Sequence, residues 1–260
     1  LLAYCSLIPN GTALASTFNT ELVEKVYAKI SEELKAKGSD ILLAPGMNIH
    51  RSHLCGRNFE YYSEDPLVAG KNAAAAIRGV QSQKVAVSMK HFACNNKEAN
   101  RMGSDSRLSE RALREIYLKG FEIALQESDP WALMTSYNSV NGWFTQQNYE
   151  LVTNVLRDEW GFDGMVMTDW GLKDNTPYIV KSGNDLLQPG SKVEMERILA
   201  AVKEGLVSVE EIDRQAKELH QCLISRDYIS RVIKGECVLV FVQKNGEPIA
   251  TAELKKGNKI

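Results

Sequence analysis

The 260-residue sequence has no apolar run approaching the ~18 residues a membrane span needs, which argues against a membrane partner. It has no excess of either charge. Thirty-one Lys and Arg face thirty-three Asp and Glu, so the net charge is −2 and no basic surface for nucleic acid is expected. Its five cysteines, Cys5, Cys55, Cys94, Cys222 and Cys237, form no CxxC pair, and none has a histidine at metal-ligand spacing. They read as reduced, buried structural thiols. The opening Leu1-Leu2-Ala3-Tyr4-Cys5 carries neither an initiator Met nor a charged flank before an apolar core, so it reads as a start in mid-domain rather than a signal peptide. The compartment stays open with the cytoplasm favoured, and the oligomeric state stays open.

What is present is an alternation of two periods. Helical patterning runs over about 20–37, 66–81, 109–127, 149–159 and 192–204. Between these lie short β-rich apolar runs at 41–44, 85–89, 132–136, 164–168 and 185–187. Short apolar strands alternating with longer helices give βαβ units and a parallel sheet covered on both faces. Ser109 and Ser208 are placed as helix caps, the latter in the capping box Ser208-Val209-Glu210-Glu211, and Gly38 and Gly205 stand where helices should stop. From about Cys222 the rhythm breaks. Residues 237–242 and 248–254 read as two strands around a turn at Asn245-Gly246, a hairpin.

The polar residues fall at strand ends. Lys90-His91, Tyr137-Asn138 and Asp169-Trp170-Gly171 each follow one of the runs, and in βα barrels the loops there converge on one face. Asp169 by itself could be an ordinary helix cap. At a barrel mouth beside an indole, its carboxylate suits attack on a sugar carbon while the indole stacks on the ring. Lys90 and His91 could donate to sugar hydroxyls, although Lys90 could instead be a Schiff-base lysine. Arg57 lies in a loop, 56–66, that mixes guanidinium, carboxylates and aromatics, as a polyol site requires. Glu60 and Asp65 are read there as loop ion-pair partners, and His50 and His53 as loop-structural. Asn95, Asn96 and Arg101 are read as support behind the site, with Glu98 pairing either Lys90 or Arg101.

Several stretches together resemble the N-terminal barrel domain of glycoside hydrolase family 3, the β-glucosidase branch. They are Thr12-Ala13-Leu14-Ala15-Ser16-Thr17-Phe18, Pro45-Gly46-Met47-Asn48-Ile49-His50-Arg51, the segment 56–66, Lys90-His91-Phe92 with Asn95-Asn96, the segment 134–142, and Trp160-Gly161-Phe162-Asp163-Gly164 through Asp169-Trp170-Gly171. Asn184-Asp185-Leu186 with Pro189-Gly190 adds a further match. The resemblance implies a (β/α)8 TIM-type barrel, incomplete at the N-terminus, over residues 1–218, followed by an unrelated hairpin tail over 219–260. It implies retaining hydrolysis of a β-linked glucoside or related oligosaccharide, with Asp169 as nucleophile and no metal or organic cofactor. Arg57, Lys90 and His91 would hold sugar hydroxyls, and Met134, Tyr137 and Trp170 would line the first subsite. The family's opening strand segment is not matched. An acid/base Glu is expected on a later domain, and the Asp-His pair of the other branch is replaced here by Ala93-Cys94-Asn95-Asn96. The alternative is a carbohydrate-binding barrel, catalytically impaired for want of that acid/base.

Overall fold

The computed structural model describes residues 4–171 and 175–224 and the pairs 241–242 and 248–249. Helices α1 (Gly11–Ala15) and α2 (Thr20–Ala36) are each started by an asparagine. Asn10 and Asn19 accept from the backbone N–H of Ala13 and Leu22 and satisfy donors the first turn leaves open. Strand β1 (Ile41–Leu42) follows, then helix α3 (Pro66–Gln81), with Pro66 in the first turn and Asp65 as its cap. The chain continues through β2 (Ala86–Phe92), β3 (Asp105–Ser106), helix α4 (Glu110–Ala112), a π-helical stretch (Leu113–Tyr117) and helix α5 (Lys119–Ser128). Next come β4 (Ala132–Thr135), β5 (Ser139–Val140), β6 (Trp143–Phe144), a second π-helical stretch (Glu150–Glu159) and β7 (Met165–Met167). Helices α6 (Thr176–Lys181), α7 (Lys192–Lys203) and α8 (Val209–Ile224) complete the series.

The main sheet is parallel, in the order β1-β2-β4-β7. Segment 185–188 continues it as a fifth, irregular strand. Leu186 bridges Met167, Thr168 N–H donates to Leu186 O at 2.9 Å, and Gly171 N–H donates to Gln188 O at 3.1 Å. Among the described residues the sheet does not close into a complete barrel, in keeping with an incomplete βα barrel. Alternation along the strands splits the side chains between two faces. Val87, Met89, Leu133 and Val166 point outward into the main core against the helices, while Ala132, Met134, Met165 and Met167 form a separate apolar cluster on the inner face.

Helix 66–81 matches its expected bounds. Helix 109–127 is a composite instead: Leu118 N–H reaches back five residues to Leu113 O at 2.8 Å, and a π turn separates the two α segments. Residues 185–187 hold a bridge in place of a regular strand. Ser109 and the Ser208 capping box form as expected, with Ser208 Oγ accepting from Glu211 N–H and Glu211 returning to Ser208 N–H. Gly38 and Gly205 both take the left-handed conformation that ends a helix. Cys55 and Cys94 are buried as expected, but Cys5 is exposed, because its segment lies on the outside of α2. In the tail, Phe241–Val242 and Pro248–Ile249 pair antiparallel; the rest of the expected hairpin lies outside the described residues. Among the described residues no helix is long and apolar enough to cross a membrane.

Candidate active site

Ladder register brings the site together. Lys90 on β2 pairs with Met134 on β4, which pairs with Met167 on β7. Lys90, two residues beyond Ser88 and out of phase with outward-facing Met89, therefore projects on the same inner face as Met134 and Met167. Met134 is 2% exposed within that apolar cluster. Immediately beyond this row the strands end in His91, Tyr137 and Asp169, all buried.

The β2 register slips between Lys90 and Phe92, which takes His91 out of the ladder with β4. Its backbone is satisfied by a side chain instead. Asn48 Oδ1 accepts from His91 N–H and Asn48 Nδ2 donates to His91 O, both at 2.9 Å, so one amide stands in for a strand neighbour. This role of Asn48 was not apparent from sequence; its place just past the end of β1 was the available signal. The His91 ring is 1% exposed, with Nδ1 at 3.2 Å from Tyr61 Oη and Nε2 at 3.7 Å from Asp169 Oδ2. Burial holds its pKa well below the ordinary value, and Arg57, Lys90 and Arg101 push it the same way, so the ring is neutral.

Asp169 follows β7. Its Oδ1 accepts from Trp170 N–H at 2.7 Å, while Oδ2 is buried without a hydrogen-bond partner among the described residues. Burial raises its pKa; the Trp170 N–H, the Tyr137 hydroxyl, Arg57 and Lys90 oppose the rise without cancelling it. Tyr137 stands against this carboxylate, and burial and the Asp169 charge both raise its own pKa. Arg101 lies over the Tyr137 ring at 4.8 Å from its centroid, a cation–π contact that fixes the ring's outer face. Trp170 is about half exposed, with its indole at the rim.

Glu60 organises the other side. It accepts from Arg57 Nε through Oε1 and lies 3.7 Å from Lys90 Nζ through Oε2, so one carboxylate holds two cations that would otherwise repel each other. The expected ion-pair role of Glu60 is thus met by a site cation. Asp65 instead caps α3, because its place just before Pro66 points its carboxylate at Leu67 N–H. Burial lowers the Lys90 pKa, with Glu60 pulling it back up. Glu98 pairs with Arg101 at 3.0 Å, which answers the choice sequence left open. Asn95 and Asn96 brace the loop through Tyr61 Oη and Ile49 O, and His50 bonds Asn58 O, as loop-structural residues. Among the described residues no group of three or more His, Cys, Asp or Glu side chains could hold a metal ion.

The model of the glycosyl hydrolase family 3 N-terminal domain matches residues 2–222. The chain belongs to glycosyl hydrolase family 3. Among curated relatives of this family 3 chain, a β-glucosidase of Ruminococcus albus is 40% identical over 258 residues, covering 95% of this chain and 27% of that protein. That alignment extends into residues 219–260. An exo-α-(1→6)-L-arabinopyranosidase of Bifidobacterium longum is 45% identical over 209 residues, 80% of this chain and 28% of that protein. The solved structure of β-glucosidase 3B from Thermotoga neapolitana in complex with glucose superposes with a TM-score of 0.86 at 48% identity, over 88% of this chain and 33% of that one. The chain therefore spans about a quarter to a third of the length of the relatives it matches.

Proposed function

We propose that this chain supplies the nucleophile and first sugar subsite of a retaining β-glucosidase-type hydrolase that releases terminal β-linked glucose through a covalent glycosyl-enzyme on Asp169. The observation that carries the reading is the Asp169 carboxylate. One oxygen is held by the Trp170 N–H and the other is buried and unengaged, beside a neutral histidine and within the field of two cations. An ionised carboxylate so placed is poised to attack an anomeric carbon, and the nearby positive charge stabilises its ionised form. Arg57, Lys90 and His91 are donors for sugar hydroxyls. Tyr137, Met134 and Trp170 provide the apolar and aromatic walls that a pyranose needs. Family membership and the β-glucosidase names of several relatives support this reaction over Schiff-base chemistry at Lys90. The arabinopyranosidase relative keeps a pentopyranoside within the range of sugars to be tried.

Incubation with a 2-deoxy-2-fluoro-β-glucoside bearing an activated leaving group tests the reading, because such a reagent traps the glycosyl-enzyme without help from an acid. A sugar adduct on the peptide containing Asp169 is the expected result. No adduct in a sample that circular dichroism shows to be folded overturns it.

A second reading, a sugar-binding barrel with impaired turnover, is favoured by one observation. Glu60 and Glu98, the carboxylates beside the site residues, are engaged by Arg57 with Lys90 and by Arg101, which suits neither for proton donation. Comparing glucosides with good and poor leaving groups separates the two, since only poor ones depend on protonation.

A further inference from the structure

Behind the sugar-facing residues lies a fully buried polar group that the proposed reaction does not use. Tyr61 is 0% exposed and sits at the end of the Arg57 loop, its ring meeting His91 edge-on at 70° with centroids 6.2 Å apart. Its hydroxyl has three neighbours: His91 Nδ1 at 3.2 Å, Asn95 Nδ2 at 3.2 Å and Asn95 O at 3.4 Å. A phenol has one hydrogen to give. Asn95 Nδ2 is only a donor, so the phenolic oxygen accepts from it. The hydrogen goes either to His91 Nδ1 or to the longer contact at Asn95 O.

The far side of the imidazole decides between these. His91 Nε2 faces Asp169 Oδ2 at 3.7 Å. If Nδ1 carried the ring hydrogen, Nε2 would present a lone pair to a carboxylate oxygen that already lacks a donor, and two acceptors would face each other in a buried site. If Tyr61 donates to Nδ1, the ring hydrogen sits on Nε2 and points toward the carboxylate, and both ends are matched.

We propose that Tyr61 is a positioning residue that donates to Nδ1 of His91 and fixes it as the Nε2–H tautomer, so that the histidine presents a single, permanent donor at the sugar site. At 3.7 Å the contact is too long to be a hydrogen bond that occupies the Asp169 oxygen. Oδ2 stays free, and the N–H facing it across that gap is the donor His91 offers at the site. The backbone clamp by Asn48 and the tautomer lock by Tyr61 act on different atoms of one residue: the first sets where the ring sits, the second which nitrogen donates. The ring is held neutral by burial and by Arg57, Lys90 and Arg101, so the lock chooses between tautomers and not between charges. The catalytic meaning of this donor rests on the glycosidase reading; the tautomer itself does not.

The test is long-range 1H–15N correlation of the histidine side chains in the full chain, which holds four histidines, with His91 assigned by the peaks lost in His91→Gln. Expected is a pattern with Nδ1 unprotonated and Nε2 protonated for His91. A protonated Nδ1, alone or together with Nε2, overturns the proposal. Tyr61→Phe removes the hydrogen while keeping the ring, and should shift the His91 nitrogens toward a mixture of tautomers; an unchanged pattern in the folded variant also overturns it. Should Tyr61→Phe fail to fold, the wild-type spectrum alone decides. Because no substrate is present, failure of the trapping experiment and failure of this one are independent results.

Discussion

The ion pair beneath the site gives the sharpest test of how this fold is held. Arg157 Nη2 donates to Asp185 Oδ2 at 2.6 Å and to Gly183 O at 2.9 Å, and Nη1 donates to Gly164 O at 3.3 Å. The same Asp185 oxygen accepts from Val166 N–H at 2.7 Å, tying the 185–188 segment to β7. The Asp185 side chain is 0% exposed and that of Arg157 10%; Arg214 of α8 adds a longer contact at 3.8 Å. Arg157→Met keeps the volume and removes the nearer cation, leaving a carboxylate that cannot reach water and has only the longer Arg214 contact. Orphaning a buried partner in this way costs about 3–5 kcal/mol. With a denaturant slope of about 3 kcal/mol per molar urea, the unfolding midpoint should fall by about 1–1.7 M. Adding Asp185→Asn removes the orphaned charge and keeps an oxygen for Val166 N–H, so the double variant should recover part of the loss. Burial already pushes the Asp185 pKa up to about 6, against the pull of Arg157, and without the arginine it rises further. The Arg157→Met defect should therefore shrink as pH is lowered and the carboxyl takes up a proton. The native state holds this proton more tightly than the unfolded chain does, so the contribution of Asp185 to wild-type stability declines as pH rises from 3.8 to about 6. Urea titrations monitored by circular dichroism at two pH values are the assay. A midpoint shift below about 0.3 M for Arg157→Met, or a double variant less stable than the single, would refute the reasoning.

Four further outcomes follow from the same geometry. Asp169→Asn should leave the far-ultraviolet circular dichroism unchanged and abolish adduct formation. In the wild type, the acid limb of the trapping rate should fall at a pH above the ordinary aspartate range, since burial raises the Asp169 pKa and the attacking form is the ionised one. Glu60→Gln unpairs Arg57 and lowers the Lys90 pKa further, so binding of glucose measured by calorimetry should weaken by about tenfold, the equivalent of one charge-assisted hydrogen bond. Gly79→Ala would place a methyl carbon 2.3 Å from Glu24 O where α2 and α3 cross, forcing the helices apart at a cost of about 1–3 kcal/mol or more, read as a lowered melting temperature.

Local signals carried much of this fold into the sequence. The bounds of Pro66–Gln81 are readable because Asp65, Pro66 and the apolar period act within one or two turns, and the same holds for the caps at Ser109 and Ser208. The alternation of short apolar strands with helices was enough for a parallel sheet, and the placing of polar residues just past strand ends was enough to nominate Arg57, Lys90, His91, Tyr137 and Asp169, since strand direction in a βα series is uniform. What had no local signature depended on partners 30 or more residues away. Asn48 and His91, 43 residues apart, meet only because β1 and β2 are neighbours, and Glu60 comes to lie between Arg57 and Lys90 only once the Arg57 loop folds over the end of β2. Tyr61 reads in sequence as one more loop aromatic, and only the tertiary structure buries it against Nδ1 of His91. Periodicity and capping determine which segments become strands and helices, because those forces act over a few residues. Which donor faces which acceptor inside the site is decided by sheet register and burial, which exist only after the chain has closed on itself.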